Sequence, residues 1–146
     1  MSVRRPIFFA VAAAAAFVSS AASAAQLTVH KSPYCGCCAK WIEHVEKHGF
    51  TVKVVETEDM VAVKKRLGVP DAMASCHTTQ AAGYFIEGHV PAADIKRLLA
   101  EKPVAAGIAV PGMPLGSPGM EAAGQKQPYA TILVRKNGTT STYARH

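Results

Sequence analysis

The chain has 146 residues and a nearly half apolar composition, enough for one domain that buries its own core without disulfides as staples. Its 16 Lys and Arg against 10 Asp and Glu give a formal charge of +6. That excess is mild and is not gathered into a basic stripe with interleaved aromatics, so nucleic acid is excluded as a partner.

Residues 1–24 read as a leader. Arg4 and Arg5 form a charged start, Ile7 to Val18 is an apolar run too short to span a membrane comfortably, and Ala22-Ser23-Ala24 is an A-x-A cleavage signal. Cleavage after Ala24 predicts an exported domain over 25–146, resident in the periplasm and without a membrane anchor. Without Arg4 and Arg5, 14 basic side chains face 10 acidic ones, about +4.

Gln26 to His30 alternates apolar and polar residues and predicts a strand, followed by a turn at Lys31-Ser32-Pro33-Tyr34. Next comes Tyr34-Cys35-Gly36-Cys37-Cys38-Ala39-Lys40-Trp41, three sulfurs within four positions. An amphipathic helix is expected from about Cys38 to His48, with Cys38, Trp41, Ile42 and Val45 on one face and Gly49 as its stop. Unpaired N–H groups and the positive end of the dipole at such a helix start favour thiolates. Phe50 to Glu56 reads as a second strand, so the opening order is that of a thioredoxin-like fold.

A second helix is predicted from Glu58 to Leu67, capped by Thr57 and stopped by Gly68. Ala74 to Thr79 reads as a polar connection carrying Cys76, Gly83 to Glu87 as a strand, and Ala92 to Ala100 as a third helix with Pro91 in its first turn. Ile108 to Val110 is expected at a sheet edge. Pro111 to Met120, PGMPLGSPGM, is neither helix nor central strand and predicts a long irregular loop. Tyr129 to Val134, the Lys136-Asn137-Gly138 turn and Thr139 to Tyr143 predict a C-terminal β-hairpin. The expected fold is α/β and thioredoxin-like, a central mixed sheet flanked by helices.

Cys35 and Cys38 form a C-x-x-C, the spacing of a dithiol redox site, but Cys37 adds a third sulfur and Cys76 a fourth. Structural disulfides, a four-thiolate zinc site and a Cu(I) site all use such residues. Zinc more often takes two paired knuckles. Compact C-x-C-C packing suits Cu(I), which readily shares bridging thiolates. His77, His89, Met113 and Met120 are secondary candidates, being imidazoles and thioethers in or beside the loops expected near the cysteines. His44 and His48, four apart, read better as a solvated flank, and His30 ends the first strand.

The runs KSPYCGCCAKW, SCHT, YFIEGHVPAADIKRLL and VPGMPLGSPGME, in that order, resemble the periplasmic CopG-type copper-resistance proteins, a family long known only as a domain of unknown function. The likeness extends from about Leu27 to Tyr143. It implies a thioredoxin-like fold in which Cys35, Cys37, Cys38 and Cys76 bind a multinuclear Cu(I) cluster. It also implies a role in copper resistance beside copper-efflux or periplasmic copper-chaperone proteins. Redox cycling of copper against Cys35 and Cys38 would make the protein a copper oxidoreductase; no hydrolase or transferase signature is present. The alternative is a thiol-disulfide oxidoreductase with Cys35 as nucleophile and Cys38 as resolving thiol.

Overall fold

The computed structural model describes residues 25–146, so the expected leader lies outside the described residues. In chain order the elements are β1 (Gln26–Lys31), α1 (Gly36–Lys47), β2 (Thr51–Glu56), α2 (Met60–Leu67), a 3-10 turn (Asp71–Met73), β3 (Thr78–Ala81), β4 (Tyr84–Glu87), α3 (Ala92–Glu101), β5 (Gly107–Ala109), β6 (Ala130–Val134) and β7 (Thr140–Arg145). The seven strands form one mixed sheet in the order β2-β1-β3-β4-β5-β6-β7. Strands β1 and β2 are parallel through α1, β4 and β5 are parallel through α3, and every other neighbouring pair is antiparallel. Parallel neighbours require a crossover, which the helices provide.

Alternation along the strands divides the core between the two sheet faces. Leu27 and Val29 of β1, Ile86 of β4 and Ile108 of β5 pack with Trp41 and Val45 of α1 and Ile95 and Leu98 of α3. Phe85 and Ala109, one residue out of step, point the other way and pack with Val69 and Leu67 at the end of α2. Each large apolar side chain withdrawn from water in this way contributes about 1.5–3 kcal/mol. Trp41 is fully buried, and its indole N–H donates to the Val90 carbonyl at 2.9 Å, which fixes α1 against the approach to α3.

Several boundaries differ from the sequence reading. Helix α1 starts at Gly36 with Cys35 as its N-cap residue, so the cysteines form the first turn itself. Helix α2 starts at Met60, and Asp59, not Thr57, caps it by accepting the Ala62 N–H at 2.9 Å. The Thr57 hydroxyl instead accepts the N–H of Asp59, one step outside the helix. Pro91 is the N-cap residue of α3 and not its first helical one. The polar connection after Cys76 ends in a true strand, β3, in the middle of the sheet. Strand β5 is also interior, between β4 and β6, and not an edge. The hairpin is present as predicted, with β7 and the charged, mostly exposed β2 as the two edges.

Two polar locks hold α3. Asp94, in its first turn, accepts from the Thr131 hydroxyl at 2.5 Å and pairs with His146 Nε2 at 2.9 Å, tying the helix to β6 and to the end of β7. At the helix start the Ala92 N–H, an orphan donor of the first turn, is satisfied by His44 Nε2 at 3.1 Å. His44 accepts this bond only while neutral. Burial, and next the neighbouring His48, lower its pKa; Lys47 adds to this and Glu121 opposes it. The folded chain therefore binds protons less readily here than the unfolded chain, whose histidine titrates near about 6.5. The contribution is complete above that value and is lost as pH falls through the lower folded pKa. Thermal midpoints measured from pH 8 to pH 5 should fall less steeply in His44→Gln, whose amide oxygen accepts the same bond without titrating. Equal slopes would remove His44 from the acid response.

Candidate metal centre

Helix α1 begins without a capping side-chain bond at Cys35 and without an acidic residue in its first turn. Its first turn thus offers open N–H groups and the positive dipole end with cysteines and no acidic residue of its own. Cys35 and Cys38 are joined as a disulfide, while Cys37 and Cys76 are free thiols. The free thiols touch opposite ends of the disulfide. Cys37 Sγ is 3.5 Å from Cys35 Sγ, Cys76 Sγ is 3.6 Å from Cys38 Sγ, and the two free sulfurs are 4.0 Å apart. All four lie within 4.8 Å of one another. Sulfurs sharing one metal at about 2.3 Å in a tetrahedron are about 3.8 Å apart. Once Cys35 and Cys38 are reduced, the donor set therefore fits thiophilic metal with little movement of the chain.

Cys76 arrives from a distant segment, and a buried carboxylate places it. Glu87 of β4, fully buried, accepts the Ser75 N–H at 2.6 Å on one oxygen and the Thr78 hydroxyl at 2.6 Å on the other. These are the residues on either side of Cys76-His77. The Lys64 ammonium of α2 pairs with Glu87 and also donates to the Thr78 hydroxyl at 3.0 Å. Burial raises the Glu87 pKa; Lys64, Thr78 and the Ser75 N–H pull it back in part. On the other side, Gly88 has φ of +73°, and a Cβ there would sit 2.5 Å from Ser75 Oγ and 2.7 Å from the Val110 carbonyl, so only glycine lets these segments meet.

Two histidines back the sulfur of Cys76. His89 is fully buried, and its Nδ1–H donates to the Pro118 carbonyl at 2.7 Å, which leaves Nε2 as a lone pair 3.0 Å from Cys76 Sγ. His77 presents Nδ1 at 3.2 Å from the same sulfur. Its ring lies 4.4 Å from the indole of Trp41 and meets His89 edge-on. Burial, foremost, lowers both imidazole pKa values, His77 well below the usual range. Both rings are therefore neutral near pH 7. Burial, reinforced by Cys37, pushes the Cys76 thiol up to about 12, so it is protonated until a metal displaces the proton.

The irregular loop packs against the site. Gly119, at φ +84°, packs against α1 so closely that a Cβ would lie 2.8 Å from the Trp41 nitrogen and 2.9 Å from the Cys37 carbonyl. The Gly119 N–H donates to both carboxylate oxygens of Glu121, at 3.0 and 2.9 Å. A groove of about 420 Å³ opens on Cys37 between Lys40 of α1 and Leu115, Met120 and Glu121 of the loop. Met120 thus shares a groove with Cys37, whereas Met113 is half exposed and does not line it. The larger cavity, about 740 Å³ along Val61, Lys64 and Pro70, is lined by none of the cysteines. His44 and His48 do not form a chelating pair, because His44 Nε2 takes the Ala92 N–H and His48 Nδ1 bonds the His44 carbonyl. His30 is paired with Gln80 across the sheet and belongs to neither cluster of candidate ligands.

The family model described as a protein of unknown function, DUF411, matches residues 73–120, from the approach to Cys76 through to Met120. No curated protein sequence matches the chain. Two solved structures of copper resistance protein CopG do. Form 2 is 47% identical with a TM-score of 0.81, covering 84% of this chain and 98% of its own. Form 1 is 48% identical with a TM-score of 0.79, covering 83% and 96%. The chain belongs to the CopG copper-resistance family. The seven-stranded mixed sheet with its three helices and C-terminal hairpin is the thioredoxin-like α/β fold expected from the sequence.

Glu87, Lys64 and the Pro118 carbonyl carry no sequence signal for the site they hold. A glutamate at the end of a short strand reads as surface, and a proline carbonyl is invisible to pattern. Replacing the buried carboxylate should expose its role. Glu87→Ala leaves the Lys64 charge, the Ser75 N–H and the Thr78 hydroxyl without their partner and should cost about 3–5 kcal/mol in denaturant unfolding. Cys76 should react faster with a thiol reagent in the same variant, under conditions where the chain is still folded. Wild-type stability together with wild-type Cys76 reactivity would mean that the segment holds its shape without Glu87.

Proposed function

We propose that this chain is a periplasmic copper-handling protein that binds several Cu(I) ions on Cys35, Cys37, Cys38 and Cys76 and serves copper resistance. The observation that carries this reading is the convergence of four sulfurs within 4.8 Å at a helix start. Four thiolates with up to four Cu(I) leave a cluster close to neutral, which lowers the cost of holding it beneath the surface. The groove beside Cys37 gives metal a route from solvent past the Met120 thioether. Export through the residue 1–24 leader would place the domain where copper-efflux and copper-chaperone proteins act.

The disulfide supplies the redox half of the proposal. Two Cu(I) ions giving up one electron each become two Cu(II), and those two electrons cleave the Cys35–Cys38 bond to two thiolates. Run in reverse, two Cu(II) ions close the disulfide and leave as Cu(I). Either direction balances without a further oxidant or reductant. A second reading, thiol-disulfide exchange on exported proteins, is favoured by the closed C-x-x-C at the start of α1. It differs in needing no metal.

Anaerobic Cu(I) titration of the reduced domain, followed by native mass spectrometry with a Zn(II) control, separates these readings. The expected result is cooperative uptake of several Cu(I), with Cys37→Ser lowering both the number bound and the affinity, the latter by about tenfold or more. Unchanged copper binding in Cys37→Ser would sink the four-thiolate cluster. Insulin reduction that persists after strict metal removal, and depends on Cys35 far more than on Cys37, would favour the exchange reading.

A further inference from the structure

The disulfide raises a question that a four-thiolate cluster does not answer. With Cys35 and Cys38 bonded to each other, that cluster has lost two of its ligands. Yet a second donor set remains intact. Cys76, His77 and His89 bring one sulfur and two nitrogens within 4.8 Å of one another, and neither Cys35 nor Cys38 belongs to it.

We propose that the disulfide-closed protein holds a single copper ion on Cys76 Sγ, His77 Nδ1 and His89 Nε2. The proposal takes copper as the cargo from the reading above; the ligand set stands on its own geometry. Metal bonds of about 2.3 Å to sulfur and 2.0–2.1 Å to nitrogen put sulfur and nitrogen about 3.5 Å apart on one ion. The two Sγ–N separations here are 3.0 and 3.2 Å, so the ligands need to part by only a few tenths of an ångström.

Hydrogen bonding has already oriented the ligands. His89 is held at Nδ1 by the Pro118 carbonyl, so its free lone pair points at the sulfur. This is the outer-shell device that fixes ring and tautomer in metal-binding histidines. His77 has no such partner: its Nε2 is buried and unbonded, one of only two such side-chain atoms among the described residues. Binding metal at Nδ1 therefore breaks no hydrogen bond at Nε2. When the ion binds, Cys76 releases its thiol proton and the His77 ring carries its single proton on Nε2.

One thiolate with two imidazoles is the equatorial set of copper sites that move one electron at a time. Both rings are fully buried, so water has little access to the ion. The nearest further sulfur is Cys38 Sγ, 3.6 Å from Cys76 Sγ and neutral while it remains in the disulfide. Cys76 is thus common to both donor sets. A copper ion held here lies at the edge of the place the cluster will occupy and touches the disulfide that must open. The two states store different amounts of metal: one ion when the disulfide is closed, several when it is reduced.

The test uses Cys37→Ala protein with the Cys35–Cys38 disulfide intact, which removes the other free thiol. Co(II), a redox-silent probe, is titrated without reductant and followed by optical absorption and native mass spectrometry, and Ag(I), a thiophilic stand-in for Cu(I) that does not reduce the disulfide, is added in a parallel series. The expected result is one ion per chain in both series, with a thiolate-to-Co(II) charge-transfer band. That band should vanish in Cys76→Ser, and affinity should fall at least about tenfold in His89→Gln and in His77→Gln. Circular dichroism of each metal-free variant checks that it is folded, and Cys76→Ser provides the mildest change of shape should a histidine variant fail to fold.

No binding to the closed form, or binding indifferent to His89→Gln in folded protein, overturns the inference. If the reduced wild type still takes up several Cu(I), the cluster reading survives that result. If the closed form holds one ion while the reduced chain takes no more than one, the three-ligand site stands and the cluster falls.

Discussion

The geometry of the sulfur site depends on one buried carboxylate. Cys35, Cys37 and Cys38 are placed by local structure, since the first turn of a helix fixes residues N-cap to N3 relative to one another. Cys76 has no such support: it lies in a short segment between a 3-10 turn and a four-residue strand. Glu87 supplies the missing rigidity by binding the backbone on one side of Cys76-His77 and the hydroxyl on the other, with Lys64 balancing its charge. A buried ion pair of this kind adds little net stability over an apolar packing, but removing one member is costly. Here it fixes where a sulfur and an imidazole stand.

The irregular loop is the second support and acts through backbone alone. Gly119 rests on the first turns of α1, and the Pro118 carbonyl, one residue earlier, holds His89. A single close approach therefore couples the helix bearing three cysteines to the histidine behind the fourth. Side chains at 111–120 are correspondingly free to differ in role: Ser117 is buried, Met120 borders the groove and Met113 reaches solvent. Proline and glycine are used for the path they impose on the chain, and so the segment has neither helix nor strand yet is held by backbone hydrogen bonds at Gly112, Gly116, Ser117 and Met120.

How far the sequence disclosed this arrangement follows from the range of each signal. Helix α1, helix α3 and the hairpin were legible because apolar periodicity and the Asn137-Gly138 turn are local. The C-x-C-C cluster was legible for the same reason, and Cys76 was added as the fourth cysteine on a segment that a thioredoxin-like fold returns to that turn, with the family resemblance agreeing. Strand β3 was not legible: Thr78-Thr79-Gln80-Ala81 has no apolar alternation, and its hydroxyls are buried because Glu87 and neighbouring strands surround them. The interior place of β5 was hidden too, since three residues are too few to carry a pattern. The Asp59 cap shows a competition between two adequate residues, Thr57 and Asp59, that only the path of the chain decides. Most telling is the pairing of His77 with His89, twelve residues apart and adjacent only because β3 and β4 form an antiparallel pair.

That pairing bears on how copper chemistry and sulfur chemistry are combined in one small domain. A thioredoxin-like turn ordinarily presents one dithiol to solvent, and its redox state is simply open or closed. Here a protonated, half-buried Cys76 thiol stands against Cys38, and a free Cys37 stands against Cys35, so opening the disulfide presents four free sulfurs at once. The histidines are no part of that disulfide; in the closed state their rings are buried and aimed at Cys76. The fold thus sets a half of the site that holds no disulfide cysteine beside a half that does. On the proposed reading, metal capacity becomes a function of the disulfide, with Cys76, held by Glu87, as the ligand common to both states.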